Sequence, residues 1–521
     1  NIYHNTVDVT SSSSAYATFY YYNIGGRDIN VKNNIFSNSG AGYVMYINDD
    51  TGLETLDYNN FYGNGSWLIR WIDVNYSDLS EYRSFYILND EHSISGNPAY
   101  VSSSNLTPQA VLLDDLGGTG TGVTEDINGA TRDVSTPDMG AVEFTTSGLA
   151  LSGSYTVGSG GDYNTISLAV SALQTQGVSA AVTFNMLPGY FTEQVEILPV
   201  FGTSSINTVT FQSSTGIAAD VIWRYQQSST DNNYIVLLSA ADHIVFKDLT
   251  FQSVGSSYGK ILVYSGGADS VTVVGNTFTG ETMGSSTTNY AFIYGSASYG
   301  SARVFSGNTF INGSYGIYFT SGGNKTGLEI KDNIFTDTRS GIYVNSYDDI
   351  IVKNNTISGD GVYDEGISLE YCNGQIEVTG NHIDAGTNLD HGIKLSYCDG
   401  SLIGGSGLIA NNMIRAERYG IYIGYGNDYQ NIYHNTVDVT SSSSAYATFY
   451  YYNIGGRDIN VKNNIFSNSG DGYVMYIHDD TGLETLDYNN FYGNGSWLIR
   501  WTDVNYSDLS EYRSFYILND E

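Results

Sequence analysis

Proline is scarce in this chain, with 5 among 521 residues, and cysteine is scarcer still, with 2. Few prolines leave backbone hydrogen bonding largely uninterrupted, so bends fall to other residues, and 60 glycines supply them. Two cysteines exclude a disulfide scaffold, and no Cys-x-x-Cys motif suggests metal or redox chemistry. Basic residues are short as well: 20 Lys and Arg stand against 54 Asp and Glu, a net charge of −34. That balance disfavours nucleic acid or anionic lipid as a partner, because both demand a basic footprint. No run is long and apolar enough to span a bilayer.

What is abundant is strand-forming residues. The chain is 41% hydrophobic with 46 tyrosines, which excludes a disordered polymer. A short phrase recurs at Gly316-Ile317-Tyr318-Phe319, Gly341-Ile342-Tyr343-Val344, Gly366-Ile367-Ser368-Leu369, Gly392-Ile393-Lys394-Leu395 and Gly420-Ile421-Tyr422-Ile423. The opening glycines lie 25, 25, 26 and 28 residues apart. Each phrase is followed by a polar bend and a second strand that ends in an asparagine. Self-similarity at such a period signals stacked units, none of which buries enough surface alone. Alternating apolar and polar positions require one buried face. The sequence therefore predicts an all-β solenoid.

A longer repeat encloses the short one. Residues 1–91 return as residues 431–521, with three differences: Ala41 becomes Asp471, Asn48 becomes His478 and Ile72 becomes Thr502. This predicts a window cut from a tandem array of modules of about 430 residues, partnered chiefly by neighbouring identical modules. The expected divisions are late rungs of one module over 1–91, its closing segment over 92–147, the cap and start of the next module over 148–204, and its rungs over 205–521. A helix is expected at 165–176, with Ile166, Ala169, Val170 and Leu173 on one face, Asn164 as its cap and Gly177 as its end. It would cover the open first rung, with the coil starting at 182–184 and 194–197. About eleven to thirteen rungs near 4.8 Å apart, with caps, predict roughly 65–85 Å per module.

These rungs resemble the right-handed parallel β-helix repeats of pectate lyases, polygalacturonases and many large bacterial surface proteins. Pro137-Asp138-Met139-Gly140 and the Gly160-Gly161-Asp162-Tyr163 start resemble giant tandem-repeat secreted surface proteins of Bacteroidota type. The resemblance implies an all-β right-handed parallel β-helix with a short N-terminal capping helix per module. It also implies an extracellular structural or adhesive fibre at a bacterial cell surface. A β-helix polysaccharide lyase or glycoside hydrolase, and a non-catalytic glycan-binding module, are the alternatives.

Several residue series are candidates for function. Asn276, Asn308, Asn333, Asn355, Asn381, Asn412, Asn435 and Asn464, continuing to Asn490, form the most regular polar series and predict a hydrogen-bonded structural ladder, with Asn5, Asn34 and Asn60 as the corresponding bends of the first copy. Tyr318, Tyr343 and Tyr422 alternate with inward isoleucines and are expected to face outward, for glycan or lateral contact. Tyr347, Tyr371, Tyr397 and Tyr425 are expected to stack near one edge. Cys372 and Cys398 occupy equivalent places on adjacent rungs, as stacked thiols or as a bridge. For catalysis, Asp348-Asp349 and Asp390-His391-Gly392 are reminiscent of the aspartate pairs and Gly-His-Gly of polygalacturonases, with Asp390 where the first glycine would stand. Asp360, Asp364 and Glu365 are candidate structural calcium ligands, as are Asp348-Asp349, Asp49-Asp50 and Asp479-Asp480; no other cofactor is expected.

Overall fold

The structure, a computed structural model, describes residues 1–515 apart from 11–12, 14–15, 23–24, 41, 64, 66, 77–78, 80–81, 84–89, 147–148, 297–299, 321–324, 360–363, 386–388, 401–406, 442, 444 and 453. Among the described residues, three long sheets wrap around one core. Sheet A has 13 strands, from Leu151–Val157 to Leu483–Asp487. Sheet B has 12, from Gly189–Thr192 to Asn490–Gly493, and sheet C has 13, ending in Ile499–Trp501 and the antiparallel Val504–Tyr506. From Val178 on, the chain visits A, B and C in turn, so the strands pair in parallel with their counterparts one rung on, with Val504–Tyr506 the exception. Residues 1–76 build a shorter coil of the same kind, with sheets of 3, 3 and 4 strands. The fold is a parallel β-solenoid.

Residue type and register explain the core. Alternate residues point inward, and inward positions stack on their own kind: Phe278, Phe310 and Phe335 lie ring on ring at 4.9 and 4.6 Å, and Ile317, Ile342, Ile367, Ile393 and Ile421 form an aliphatic column in successive register. All are wholly buried, and each large apolar side chain stabilises by about 1.5–3 kcal/mol. The glycine opening each phrase answers a close approach. A Cβ on Gly366 would meet the Gly392 carbonyl oxygen at 2.6 Å and Ile383 Cγ2 at 3.0 Å, and Gly341 and Gly392 are equally confined.

The helix Ile166–Gln176 covers the first rung, burying Ile166, Ala169, Val170, Ala172 and Leu173 and ending at Gly177. Its cap is Thr165, whose hydroxyl accepts from the Leu168 N–H at 3.2 Å, and not Asn164. The Glu193 carboxylate adds a second cap, accepting from the N–H groups of Ile166 and Ser167 at 3.0 and 2.9 Å, where helix geometry leaves donors unpaired. Sheet A starts earlier than 182, because Leu151–Val157 already pairs with Val178–Met186. Among the described residues no helix is long and apolar enough to cross a membrane.

The asparagine ladder forms with one shift. From Asn276 through Asn308, Asn333, Asn355, Asn381, Asn412 and Asn435 to Asn464, each Nδ2 donates to the next Oδ1 at 2.9–3.2 Å. The last member is Asn489, not Asn490. In the first copy the series runs Asn5, Asn34, Asn59, and Asn60 points elsewhere. Cys372 and Cys398 are free buried thiols. Cys372 donates to the carbonyls of Glu370 and Val344 at 3.2 and 3.7 Å, and Cys398 to those of Leu369 and Ser396 at 3.4 Å.

Candidate functional site

The outward face of sheet C carries the densest array of chemistry. One register position runs through Tyr294, Tyr318, Tyr343, Ser368, Lys394, Tyr422, Tyr450, Tyr476 and Arg500 on successive rungs. Parallel in-register pairing stacks identical side chains about 4.8 Å apart, the spacing aromatic rings need. Tyr294, Tyr318 and Tyr343 stack with centroids 5.6 and 4.9 Å apart, and Tyr422 and Tyr450 at 5.0 Å. Cations close both ends: Lys260 Nζ lies 3.2 Å from the Tyr294 ring centre and the Arg500 guanidinium 5.0 Å from that of Tyr476. The expected outward residues Tyr318, Tyr343 and Tyr422 are thus members of a longer column. Tyr294, Tyr450 and Tyr476 escape notice in the sequence because no Gly-Ile phrase precedes them.

Two rungs interrupt the tyrosines with charge. Lys394 Nζ lies 3.0 Å from Glu370 Oε1 and 3.9 Å from Glu365 Oε1, and the Tyr343 hydroxyl donates to Glu370 at 3.0 Å. Burial raises the Glu365 carboxyl, and Lys394 counters this in part. His391, the register partner of Glu365, stacks on Tyr419 at 5.0 Å. Burial, reinforced by the charges of Lys394 and Arg418, pushes its imidazole down to about 3, so it is neutral at ordinary pH. Its Nδ1 and the hydroxyls of Ser340 and Ser368 are buried with no hydrogen-bond partner.

The catalytic pairs expected from the sequence are not brought together, and the acidic candidates are already engaged. Asp348 and Asp349 open a sheet A strand at the C-to-A corner, whereas Asp390 and His391 lie at the opposite, B-to-C corner. A six-residue strand separates the two corners, about 17–20 Å, beyond the roughly 5–9.5 Å that paired glycosidase carboxylates need. Asp349 accepts from the Gln375 N–H at 2.8 Å, a turn contact, and Asp390 pairs with Arg418. Asp364 is held by Arg339 at 3.2 Å and bonded by Ser286, and Glu365 faces Lys394, so these carboxylates already have cationic or hydroxyl partners. Asp360 lies outside the described residues. Asp49 and Asp479 accept from the N–H groups of Thr51 and Thr481, and Asp50 and Asp480 from the Trp71 and Trp501 indoles.

Tyr371, Tyr397 and Tyr425 form a second exposed stack, at 4.7 and 6.1 Å. Tyr347 is not in it. One extra residue in its spacing turns it into the core, where its hydroxyl accepts from the buried Arg303 Nη1 at 2.7 Å. An acidic group not foreseen from the sequence is Asp114, Asp115 and Asp138, whose oxygens lie within 4.8 Å of one another. Asp138 accepts from the N–H groups of Asp115 and Phe144 at 2.6 Å, and burial raises it to about 7.

Residues 203–357 match the family described as a right handed beta helix region, over the stretch where the three sheets run rung after rung. Over those residues the chain is similar to the right-handed parallel β-helix proteins. A second match within this β-helix, over residues 285–456, is to the family described as periplasmic copper-binding protein NosD. No curated protein matches the chain. Among solved structures, this β-helix is similar to a pectin methylesterase from Aspergillus niger, at 16% identity and a TM-score of 0.24, covering 67% of this chain and 87% of that one. It is also similar to a rhamnogalacturonan lyase, at 13% identity and a TM-score of 0.29, covering 64% and 84%. Likeness at that level bears on neither activity nor substrate.

Proposed function

We propose that this β-helix is part of an extracellular structural or adhesive protein of the bacterial cell surface, built from tandem modules of about 430 residues that extend as a rod. The observation that carries the reading is the junction between the two coils. Residues from the closing segment, Ala110, Leu112, Leu113 and Met139, form one apolar cluster with Ile35 of the first coil, and Phe201 of the second coil packs against it. A junction packed on both sides makes reach scale with copy number, which a fibre uses and an enzyme does not. Electron microscopy of native material tests this. Rods with an axial repeat of roughly 65–85 Å, as strand stacking requires, are the expected outcome; free particles of one module would sink the reading.

The sheet C column supports a second role on the same rod, contact with glycans. Tyrosine faces suit sugar rings, and the column carries them on successive rungs. A glycan array would show binding that Tyr343→Ala and Tyr422→Ala remove.

A further inference from the structure

The chain contains its own control experiment. Residues 4–63 and 434–493 are nearly identical in sequence, yet one flank is buried in the first copy and open in the second. Ile35 is 0% exposed and Ile465 is 47%; Tyr62 is 6% exposed and Tyr492 is 60%. His4, Asn33 and Asn60 are buried, and their counterparts His434, Asn463 and Asn490 are exposed. The difference is the segment over residues 92–146, which lies along the flank of the first copy.

The contacts of that segment are specific. Asn33 receives the Gly118 N–H at 2.8 Å and donates Nδ2 to the Gly118 carbonyl at 2.7 Å. Asn60 makes the same reciprocal pair with Gly96, both bonds at 2.9 Å. Ile94 extends the three-stranded sheet of the first coil that ends at Asn60–Gly63 by one rung, giving its carbonyl to the Phe61 N–H and its N–H to the Asn59 carbonyl. His4 reaches the Asp138 carbonyl and the Thr121 hydroxyl at 3.1 Å each, and the His92 ring stacks on Tyr58 at 4.4 Å. Gly96, Gly118 and Gly140 let the segment approach closely. A Cβ on Gly118 would run into the Tyr58 ring at 2.6 Å, one on Gly96 into Leu112 at 2.8 Å, and one on Gly140 into Ile35 at 2.6 Å.

We infer that the open flank formed by His434, Asn463, Ile465, Tyr488, Asn490 and Tyr492 is a docking site for a second closing segment, a polypeptide with the chemistry of residues 92–146. Every group of the first coil that holds the segment is repeated on this flank, because none of the three differences between the copies falls on it; only the packing against Phe201 of the following coil has no counterpart there. The site selects by paired amides that read a glycine backbone and by a ring that leaves no room for a Cβ. It also leaves sheet B with an open edge at Asn490–Gly493, which a residue equivalent to Ile94 would pair. The inference deepens the tandem-module reading by naming what covers the end of each coil, and it does not depend on whether the modules form fibres.

Appending a second copy of residues 92–146 after Glu521 tests it within the full chain, since linkage raises the effective concentration to about millimolar. Amide hydrogen exchange over residues 463–493 is expected to slow to the rates of residues 33–63. Gly118→Val made in the appended copy alone is expected to restore fast exchange. Unchanged exchange on appending the segment, or protection that survives Gly118→Val, would overturn the inference. In trans, a synthetic peptide of residues 92–146 is expected to bind the unextended chain one to one, with Ile465→Asp weakening it at least tenfold. Binding indifferent to Ile465→Asp, or self-association of the chain through this flank in place of peptide binding, would also overturn it. Microscopy decides the fibre separately: docking without rods keeps this inference and removes the fibre.

Discussion

Asn355 donates its side-chain Nδ2 to Asn381 Oδ1 at 3.0 Å, one rung further along the coil, and to the Ile330 carbonyl at 2.9 Å. Its own Oδ1 accepts both the side chain and the backbone N–H of Asn333 at 3.0 Å. The residue is wholly buried, so removing the amide orphans polar groups on both neighbouring rungs. Asn355→Ala is expected to destabilise by about 2–4 kcal/mol, more than a single lost bond, because the desolvation cost of the orphaned groups adds to it. Urea unfolding measures this as a lower midpoint; an unchanged midpoint would contradict the ladder.

The glycine column makes a sharper contrast. Gly366→Ala places a Cβ 2.6 Å from the Gly392 carbonyl oxygen, and a backbone fixed by pairing on both sides cannot yield. A loss of about 1–3 kcal/mol is expected. A Cβ on Gly267 meets nothing within 4 Å and its φ is not in the left-handed region, so Gly267→Ala is expected to be neutral or to stabilise by about 0.4–1 kcal/mol. Thermal unfolding of the two variants under one set of conditions separates them.

His391 predicts a pH dependence of definite sign. Its folded value is about 3, below the ordinary 6.5. A depressed histidine favours the folded state when neutral, so its contribution is fully present above pH 6.5 and is lost as pH falls toward 3. His391→Phe keeps a ring against Tyr419 and removes the proton. The slope of unfolding free energy between pH 6.5 and 4 is expected to be shallower in the variant than in the parent.

Cys372 and Cys398 are expected to resist a thiol reagent in the native protein and to react fully, two per chain, once it is unfolded. Reductant is expected to leave the unfolding midpoint unchanged. One fast-reacting thiol in the native state would show that the coil opens locally at these rungs.

What could be read from the sequence was whatever repeats locally. The Gly-Ile phrases, the asparagine series and the helix over 166–176 each follow from spacing, because one rung dictates the next. One-residue choices were hidden. Asn59 and Asn60 are adjacent and chemically identical, and only the ladder geometry shows that Asn59 climbs the coil while Asn60 turns to Gly96. The separation of Asp348 from His391 depends on which corner each occupies, which a linear motif does not record. The docking of residues 92–146 was hidden for another reason: His4 and Asp138 meet across 134 residues with no periodicity to announce it. The charged break between the tyrosine stacks was visible as Ser368 and Lys394 in otherwise aromatic positions, once the register was known.

The asparagine ladder also gives the coil a direction. Within the ladder, each side-chain nitrogen from Asn276 to Asn464 donates to the asparagine of the rung after it, and each side-chain oxygen from Asn308 to Asn489 accepts from the rung before it. Amide dipoles arranged head to tail add instead of cancelling, as peptide dipoles do along an α-helix. The column is therefore polar, with its amide oxygens turned toward the start of the coil and the amide nitrogens that they pair with toward its end. Two such rods lying side by side lower their energy by running in opposite directions, whereas rods joined end to end keep a single polarity along their whole length.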